Sequence, residues 1–164
     1  VIAGAERVML PGVGVAGDDM RQIELRGLRP ALCGFRRPLL GVCLGQQLLF
    51  ERSEEGNARG LGLLPGAVTR LPAASDQISP HMGWSQLAPI REHPLLEGVR
   101  AGAYVYFVHS YVCPLGEHAL AQAAYGAPFA AVVAHDNVMG CQFHPERSGA
   151  VGARILQNFL SLPC

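Results

Sequence analysis

One cysteine of the chain lies between two glycines, in the stretch GVCLGQQLLF from Gly41 to Phe50. An apolar run precedes Cys43 and a helix-like run follows it. A strand that ends in G-x-C-x-G and turns directly into a helix forms a nucleophile elbow, a strained turn whose flanking residues must be small. The N–H of Leu44 would then point at the oxyanion that forms when the sulfur attacks a carbonyl carbon. The pattern predicts a nucleophilic Cys43, and the positive end of the helix is expected to favour its thiolate form.

A nucleophilic cysteine needs a base, and the base needs a group that orients it. Among the six histidines of the chain, His144 stands out because it ends an apolar strand two residues before Glu146. Residues i and i+2 of an extended segment project to the same side, and Pro145 between them stiffens the backbone. We therefore expect His144 to face Cys43 while Glu146 fixes the tautomer of the imidazole.

Other interpretations of these residues stay open at this level. Cys43 can be a small buried residue of the core, and His144 with Glu146 can be an ordinary strand end. A cysteine–histidine pair can also bind metal, but zinc takes three or four ligands, and no H-x-x-x-H or C-x-x-C spacing supplies the others. We expect neither a metal ion nor a cofactor.

The first part of the chain alternates predicted strands and helices. An apolar strand at Val8–Leu10 runs into the tight loop PGVG. Asp18 or Asp19 is expected to cap the next helix, which Gly27 and Pro30 break into two short pieces. This alternation is typical of an α/β fold.

The middle of the chain continues the same pattern. A buried strand is predicted at Arg37–Val42, and the helix after the cysteine is expected to continue to about Glu54. Gly60–Gly66 is expected to form a glycine-rich turn before a strand at Ala67–Leu71, and Ser79–Leu87 is expected to be a loop.

The second half is rich in predicted strands. Tyr104–Cys113 has the β-branched and aromatic content of a strand. Two apolar runs flank Asp136-Asn137 and predict a hairpin, and Gly149–Leu162 predicts a closing amphipathic helix. The fold class predicted is therefore α/β, with a mixed, largely parallel open sheet flanked by helices.

The composition indicates one soluble globular domain. The chain has 164 residues, a hydrophobic fraction of 49% and a formal net charge of zero, so bulk charge favours neither nucleic acid nor a membrane as partner. All 13 basic residues are arginines, which excludes Schiff-base chemistry on a lysine. No apolar run is long enough to span a bilayer. The five cysteines are odd in number and widely spaced, which argues against a disulfide framework and predicts a reducing, cytoplasmic setting.

The motif GVCLGQQ, followed about a hundred residues later by FHPE, resembles the triad class of glutamine amidotransferases. Five further stretches resemble the glutaminase subunits of imidazole glycerol phosphate synthases: LPGVGVAGDDM, GLGLLPGAVTRL, PHMGW, YFVHSY and the closing QFHPERSGAVGARILQNFL. The resemblance covers nearly the whole chain. It implies the flavodoxin-like fold of class I glutamine amidotransferases and a triad of Cys43, His144 and Glu146 that hydrolyses glutamine.

The resemblance also implies roles for residues around the triad. Oxyanion and substrate contacts would come from Gly12, Val13, Gly14, Leu44, Gly45, Gln47, Ser110 and Tyr111. The N–H of Val13 would rotate toward the oxyanion, because its glycine neighbours permit unusual backbone conformations. Gln46 stands where relatives more often carry an apolar residue, and we expect it to be only a surface variation.

The partner implied by the resemblance is a (βα)8-barrel cyclase that receives the ammonia. It makes imidazole glycerol phosphate and aminoimidazole carboxamide ribonucleotide in histidine biosynthesis. We expect the loop with His81, Met82 and Trp84 to dock onto this subunit in a heterodimer, together with Arg147, where relatives carry lysine. In the competing interpretation, Trp84 is buried and anchors the loop to its own core.

Three alternative functions stay open. The chain can be the glutaminase subunit of another synthase, such as anthranilate synthase, a non-catalytic docking subunit of the cyclase, or a cysteine protease. Members of the family also open with a strand–helix unit that has no counterpart here, and the chain lacks an initiator methionine. We therefore expect a single amidotransferase domain over residues 1–164 that is truncated at its N-terminus and begins inside a longer protein.

Overall fold

The elements of the protein are described by a computed structural model that covers residues 2–72 and 78–164. The helices in these ranges are α1 Ala16–Leu25, α2 Arg29–Cys33, α3 Leu44–Leu48 and α4 Gly149–Ser161. The strands are β1 Val8–Gly12, β2 Leu39–Cys43, β3 Phe50–Ser53, β4 Ala58–Arg59, β5 Leu64–Arg70, β6 His81–Gln86, β7 Ala88–Pro89, β8 Tyr104–His109, β9 Tyr111–Val112, β10 Ala119–Tyr125, β11 Ala127–His135 and β12 Val138–Cys141. None of these helices has the length and hydropathy needed to traverse a bilayer.

The largest sheet has six strands in the order β1-β2-β12-β11-β10-β7. Strand β2 pairs in parallel with both β1 and β12, and the remaining pairs are antiparallel. All five residues of β2 are buried, as expected of a parallel strand that is covered on both faces. The mixed sheet is therefore confirmed, and its parallel part consists of β1, β2 and β12.

Helices cover the two faces of this sheet. Leu40 of β2 belongs to an apolar cluster that includes Ile155 and Phe159 of α4. Its neighbour Leu39 belongs to a second cluster that includes Met20 of α1. Because successive residues of a strand point to opposite faces, the two clusters lie on opposite sides of the sheet. Cys43, at the C-terminal end of β2, belongs to the first cluster.

Several predicted elements are confirmed. The helical path is interrupted between α1 and α2 at Gly27, whose φ is +62°, as the glycine and proline there indicate. The hairpin of β11 and β12 turns at Asp136, which has a φ of +51°. Helix α4 ends at Ser161, and its residues Ile155 and Phe159 are fully buried.

The helix after Cys43 is shorter than predicted. It ends at Leu48 instead of continuing to about residue 54, and β3 follows it. The carbonyl of Leu48 accepts a hydrogen bond from the N–H of Leu61 at 2.7 Å, and the carbonyl of Leu49 accepts one from Leu63 at 2.8 Å. The glycine-rich segment therefore satisfies the carbonyls that another helical turn would have used.

Two further predictions were wrong. The stretch 79–87 contains strand β6, which pairs antiparallel with β8, and is not a loop throughout. Neither Asp18 nor Asp19 caps α1, because the helix begins at Ala16 without a local side-chain cap. The N–H of Ala16 donates instead to a carboxylate oxygen of Glu55 at 2.8 Å, a partner that lies far away in sequence.

The two glycines around Cys43 permit a close approach of backbone segments. A Cβ atom on Gly45 would lie 1.7 Å from the carbonyl oxygen of Leu10 in β1, and one on Gly41 would lie 2.5 Å from the carbonyl oxygen of Gly45. Both distances are far inside van der Waals contact and involve backbone atoms that cannot rotate away. The glycines are therefore needed so that α3 can pack directly against β1 and β2.

Replacing Gly45 by alanine is expected to lower the free energy of unfolding by more than about 3 kcal/mol, beyond the usual cost of overpacking. The physical reason is the clash with the Leu10 carbonyl. Gly17→Ala is the matched control, because Gly17 lies in α1 with no atom near its Cβ position, and alanine there should stabilise by about 0.5–1 kcal/mol. Urea unfolding curves measure both changes. Equal stability of Gly45→Ala and the unmodified chain would contradict the packing argument.

Candidate active site

Cys43 lies in the backbone turn that the elbow motif predicts. It is the last residue of β2 and directly precedes α3. Its φ of +55° and ψ of −114° are unusual for a residue with a side chain, and such strain persists only where the surroundings enforce it. The turn puts the sulfur at the carboxyl end of the parallel strands, where open α/β sheets bind their ligands.

A cavity of about 480 Å³ opens beside this turn. Most of the predicted site residues line it, namely Val13, Gly14, Cys43, Leu44, Gln47, Ser110, Tyr111, His144, Glu146 and Arg147. Four residues that were not predicted also line it, namely Glu55, Pro80, Val108 and His109. The cavity therefore brings together a thiol, an imidazole and several hydrogen-bonding groups from distant parts of the chain.

His144 and Glu146 are in direct contact. Nδ1 of His144 lies 2.8 Å from a carboxylate oxygen of Glu146. Because a carboxylate only accepts at neutral pH, Nδ1 carries the proton and Nε2 of the neutral ring is left free to accept one. Ser148 holds the backbone here, because its hydroxyl donates to the His144 carbonyl at 2.6 Å and accepts from the N–H of Tyr106 at 3.0 Å.

The surroundings of Cys43 disfavour the thiolate form that the helix end is expected to favour. Burial raises its pKa to about 11, and the nearby carboxylate of Glu146 acts in the same direction. Hydrogen bonds to the sulfur from the backbone of Leu44 and from Gln142 lower the pKa but do not offset the burial. The sulfur donates to the carbonyl of Val108 at 3.5 Å. A base must therefore remove the proton before Cys43 can attack.

Gln47 belongs to a hydrogen-bond network that reaches the sulfur. Its Nε2 donates to the Tyr111 carbonyl and to Oε1 of Gln142, both at 3.0 Å. Nε2 of Gln142 lies 3.8 Å from the sulfur of Cys43. The amide of Gln47 is thereby fixed at the wall of the cavity.

Gly12 and Gly45 do not line the cavity, although the resemblance assigned both to it. A Cβ atom on Gly12 would lie 2.9 Å from the Cβ of Leu44, so this glycine, like Gly45, permits close packing behind the site. Neither Gly12 nor Gly14 has a left-handed φ. That the N–H of Val13 turns toward an oxyanion therefore stays a prediction.

Gln46 is not a surface variation. It is 0% exposed, and its Nε2 donates to the carbonyl of Ala130 at 3.2 Å and to the sulfur of Cys113 at 3.3 Å. Among the described residues, its Oε1 has no hydrogen-bond partner. A Cβ atom on Gly140 would lie 2.7 Å from its Cγ, so the glycine of β12 provides the space for this side chain.

The three predicted docking residues of β6 lie on both of its faces. Met82 is exposed, and Trp84 is 54% exposed, so the interpretation in which Trp84 anchors the segment to its own core was wrong. His81 is only 2% exposed, and its side chain therefore does not fit the interface contact predicted for it. Arg147 is exposed, and its guanidinium carbon lies 5.1 Å from the ring centroid of Tyr106.

Three polar residues of the site were missed by the sequence reasoning. A signal existed for Gln142, which lies two residues before His144 in an extended segment and so on the same side. A weaker one existed for His109, which alternates with the buried Phe107. No local pattern indicated Glu55, because its position depends on the unexpected end of the helix at Leu48.

Comparison with known proteins identifies the family of the chain. A model of the class-I glutamine amidotransferase family matches residues 3–162. The chain is 52% identical over 161 residues to the imidazole glycerol phosphate synthase subunit HisH of Xylella fastidiosa, and the alignment covers 98% of this chain and 80% of that protein. It is 43% identical over 177 residues to the subunit of the same name from Colwellia psychrerythraea, with coverage of 99% and 78%.

Solved structures support the fold. A glutamine amidotransferase structure superposes with a TM-score of 0.69 at 21% identity, covering 96% of this chain and 78% of that one. A glutamine amidotransferase from Thermotoga maritima superposes with a TM-score of 0.61 at 20% identity, covering 94% and 60%. At these identities the likeness concerns the arrangement of the elements alone.

Alkylation of Cys43 by iodoacetamide is expected to be slow at pH 7 and to accelerate with rising pH beyond pH 9. The reason is that burial raises the pKa of the thiol to about 11, so that the thiolate fraction increases up to that pH. Site-resolved mass spectrometry of the chain alone measures the rate at each cysteine. Exposed Cys164 serves as the fast reference and fully buried Cys141 as the protected one. Labelling of Cys43 at pH 7 faster than that of Cys164 would contradict the protonated thiol.

Gln46→Glu is expected to lower the free energy of unfolding by about 3–5 kcal/mol, because it places an unpaired charge in the interior. Exposed Gln22 of α1 offers the matched control, and Gln22→Glu should change stability by less than about 0.5 kcal/mol. Denaturant unfolding at neutral pH compares the two variants. An unchanged free energy of unfolding in Gln46→Glu would contradict the burial of this side chain.

Proposed function

The chain belongs to the class-I glutamine amidotransferase family, with HisH subunits of imidazole glycerol phosphate synthase among its relatives, and from this premise we propose that it is a glutaminase. It hydrolyses glutamine to glutamate and ammonia with Cys43, His144 and Glu146, and it supplies the ammonia to a cyclase subunit in histidine biosynthesis. The similarity to HisH subunits favours this synthase over anthranilate synthase.

One observation carries the proposal. The contact of 2.8 Å between His144 and Glu146 leaves the free Nε2 of an oriented imidazole in the same cavity as Cys43, which a strained turn presents. A core cysteine beside an ordinary strand end would need neither the strained turn nor the oriented ring. A cysteine, an imidazole base and a carboxylate that orients the base form the arrangement used for acyl transfer.

The first half of the reaction forms a thioester. Nε2 of His144 takes the proton from the Cys43 thiol, and the sulfur attacks the side-chain amide carbon of glutamine. The N–H groups of Leu44 and Val13 are the donors proposed for the resulting oxyanion. The imidazolium then gives its proton to the amide nitrogen, the C–N bond breaks, and ammonia leaves.

The second half of the reaction regenerates the thiol. A water molecule gives a proton to His144 and attacks the thioester carbon. When the C–S bond breaks, the sulfur recovers the proton from the imidazolium and glutamate leaves. Throughout both halves, Glu146 stabilises the imidazolium and keeps the ring in one orientation.

The cavity also has groups that suit the amino-acid end of glutamine. Glu55 lines the wall, where its carboxylate attracts the α-ammonium group. Ser110 and Tyr111 line the same cavity, and the amide of Gln47 is fixed by its hydrogen bond to the Tyr111 carbonyl. We propose that these groups bind the substrate, which would explain how glutamine is oriented before attack.

The exposed face of the β6–β8 ribbon is the proposed docking surface. Trp84 of β6 pairs with Tyr106 of β8, and their ring centroids are 5.7 Å apart. Met82 and Tyr104 extend the same apolar face, and Arg147 links it to the rim of the cavity. Large, adaptable apolar residues that surround an arginine are typical of an interface core. The proposed occupant is the (βα)8-barrel cyclase, which would cover the cavity and receive the ammonia before it reaches water.

Glutamate release from glutamine tests the proposed function. The purified chain is assayed alone and together with the cyclase barrel and its nucleotide ligand, beside Cys43→Ala. We expect the barrel and its ligand to raise the release, and the variant to abolish it. No release from a folded chain that is bound to the barrel would contradict the glutaminase and support a docking subunit.

Trp84→Ala is expected to weaken binding of the barrel by about 2 kcal/mol or more, roughly 30-fold in Kd, as for an aromatic residue at an interface centre. Leu25→Ala removes another exposed apolar side chain, from α1, and should leave Kd within about twofold. Titration calorimetry measures both constants. Equal Kd values for the two variants would place the docking surface elsewhere.

A further inference from the structure

A continuous chain of hydrogen bonds runs through the interior from β6 to the candidate site. Oγ of Ser85 lies 2.9 Å from Nε2 of His81, and Nδ1 of His81 lies 2.9 Å from Nε2 of His109. Nδ1 of His109 lies 2.8 Å from the carbonyl oxygen of Tyr111. The same carbonyl accepts the hydrogen bond from Nε2 of Gln47. The two histidines have no role in the reaction proposed above, although this series of hydrogen bonds ends at Tyr111 and Gln47, which line the cavity of the candidate site.

The donor and the acceptor of each of these hydrogen bonds follow from the bond between His109 and the Tyr111 carbonyl. A carbonyl only accepts, so Nδ1 of His109 must carry a proton. If His109 is neutral, its Nε2 is bare and accepts, and Nδ1 of His81 must donate to it. A neutral His81 then has a bare Nε2, which accepts from the hydroxyl of Ser85. Both rings are therefore assigned to the tautomer with the proton on Nδ1.

The surroundings keep both rings neutral and in place. Burial lowers the pKa of His81 and of His109 to about 4. The ring of His81 stacks on Phe107 and on Tyr125, with centroid distances of 4.9 and 4.2 Å. The ring of His109 contacts the ring of Phe129 at 4.9 Å between centroids. Aromatic packing thus fixes the ring planes, and the hydrogen bonds fix the protons.

We infer that His81 and His109 are positioning residues of the glutaminase site, which as neutral, Nδ1-protonated tautomers hold the Tyr111 carbonyl where it orients the Gln47 amide. This inference rests on the proposed function, because the effect on glutamine binding presupposes that glutamine occupies the cavity. The carbonyl is a junction, since it accepts one bond from His109 and one from Gln47. Without the donor on His109, the Tyr111 carbonyl loses one of the two hydrogen bonds that orient it, and Gln47 loses a fixed acceptor.

The tautomers can be tested without any catalytic activity. Long-range proton–nitrogen correlation spectra of the full chain, labelled with isotopic histidine, distinguish a proton on Nδ1 from one on Nε2. Spectra of His81→Asn and His109→Asn assign the two signals. We expect both rings to be neutral at pH 7 with the proton on Nδ1. A proton on Nε2 of either neutral ring, or a charged ring at pH 7, would overturn the inference.

A pair of variants at His109 tests the positioning. The amide nitrogen of asparagine takes the place of Nδ1, so His109→Asn keeps a donor for the Tyr111 carbonyl, whereas His109→Phe keeps a ring and removes the donor. With the barrel and its ligand present, we expect His109→Phe to raise KM for glutamine about tenfold, the loss expected for one buried hydrogen bond. We expect His109→Asn to stay within about threefold of the unmodified KM. A merely structural defect would instead lower kcat through a smaller folded fraction and leave KM unchanged.

The same comparison applies to His81. His81→Asn keeps a donor at the Nδ1 position for His109, and His81→Phe keeps only the stacking on the neighbouring rings. In the phenylalanine variant, Nε2 of His109 loses its donor while Nδ1 still donates to the Tyr111 carbonyl, so we expect the Nε2 signal to shift and the proton to stay on Nδ1. An unchanged Nε2 signal of His109 in His81→Phe would contradict the proposed order of the hydrogen bonds.

The outcomes separate this inference from the proposed function. If the unmodified chain releases no glutamate, the glutaminase proposal fails, and the side-chain amide signals of Gln47 still report the positioning. These signals are expected to shift in His109→Phe and to stay in place in His109→Asn. If the chain is active but the two His109 variants have equal KM values and equal Gln47 signals, the positioning role is overturned while the glutaminase stands.

Discussion

The site depends on a backbone turn at Cys43 that only close packing can hold. A φ of +55° is costly for a residue with a side chain, and the turn persists because α3 lies directly on β1 and β2. That contact requires glycine at Gly41 and at Gly45, where any Cβ would meet backbone carbonyls. The sulfur, the N–H of Leu44 and the wall with Gln47 all take their positions from this one arrangement.

The same packing that presents the sulfur also disfavours its thiolate form. Burial favours the neutral thiol, and the sulfur donates to the Val108 carbonyl. Val108 belongs to β8, whose partner β6 carries the exposed Trp84. The proposed docking surface and the Val108 carbonyl, which accepts the hydrogen bond from the thiol, are thus parts of one two-stranded ribbon. Binding of a partner on this ribbon would act on the strand whose carbonyl accepts the hydrogen bond from the thiol.

The sequence predicted which residues meet at the site better than it predicted their burial. Glycine spacing around Cys43 and the i, i+2 relation of His144 and Glu146 are local signals, and the structure brings these residues to one cavity. The pKa of Cys43 depends on burial by distant strands, which no local pattern contains. The burial of Gln46 has no local signal in the sequence, because its fit against Gly140 exists only after β12 has paired with β2.

The central claim is that Cys43 forms a thioester with glutamine, and trapping that intermediate tests it most directly. The chain, bound to the cyclase barrel with its nucleotide ligand, is mixed with glutamine and quenched in acid within one turnover, and its peptides are weighed by mass spectrometry. The account predicts a glutamyl group on the peptide that contains Cys43, and none in His144→Asn, where the proton acceptor is missing. Glutamate formation with no adduct on Cys43, or with an adduct on another cysteine, would contradict it.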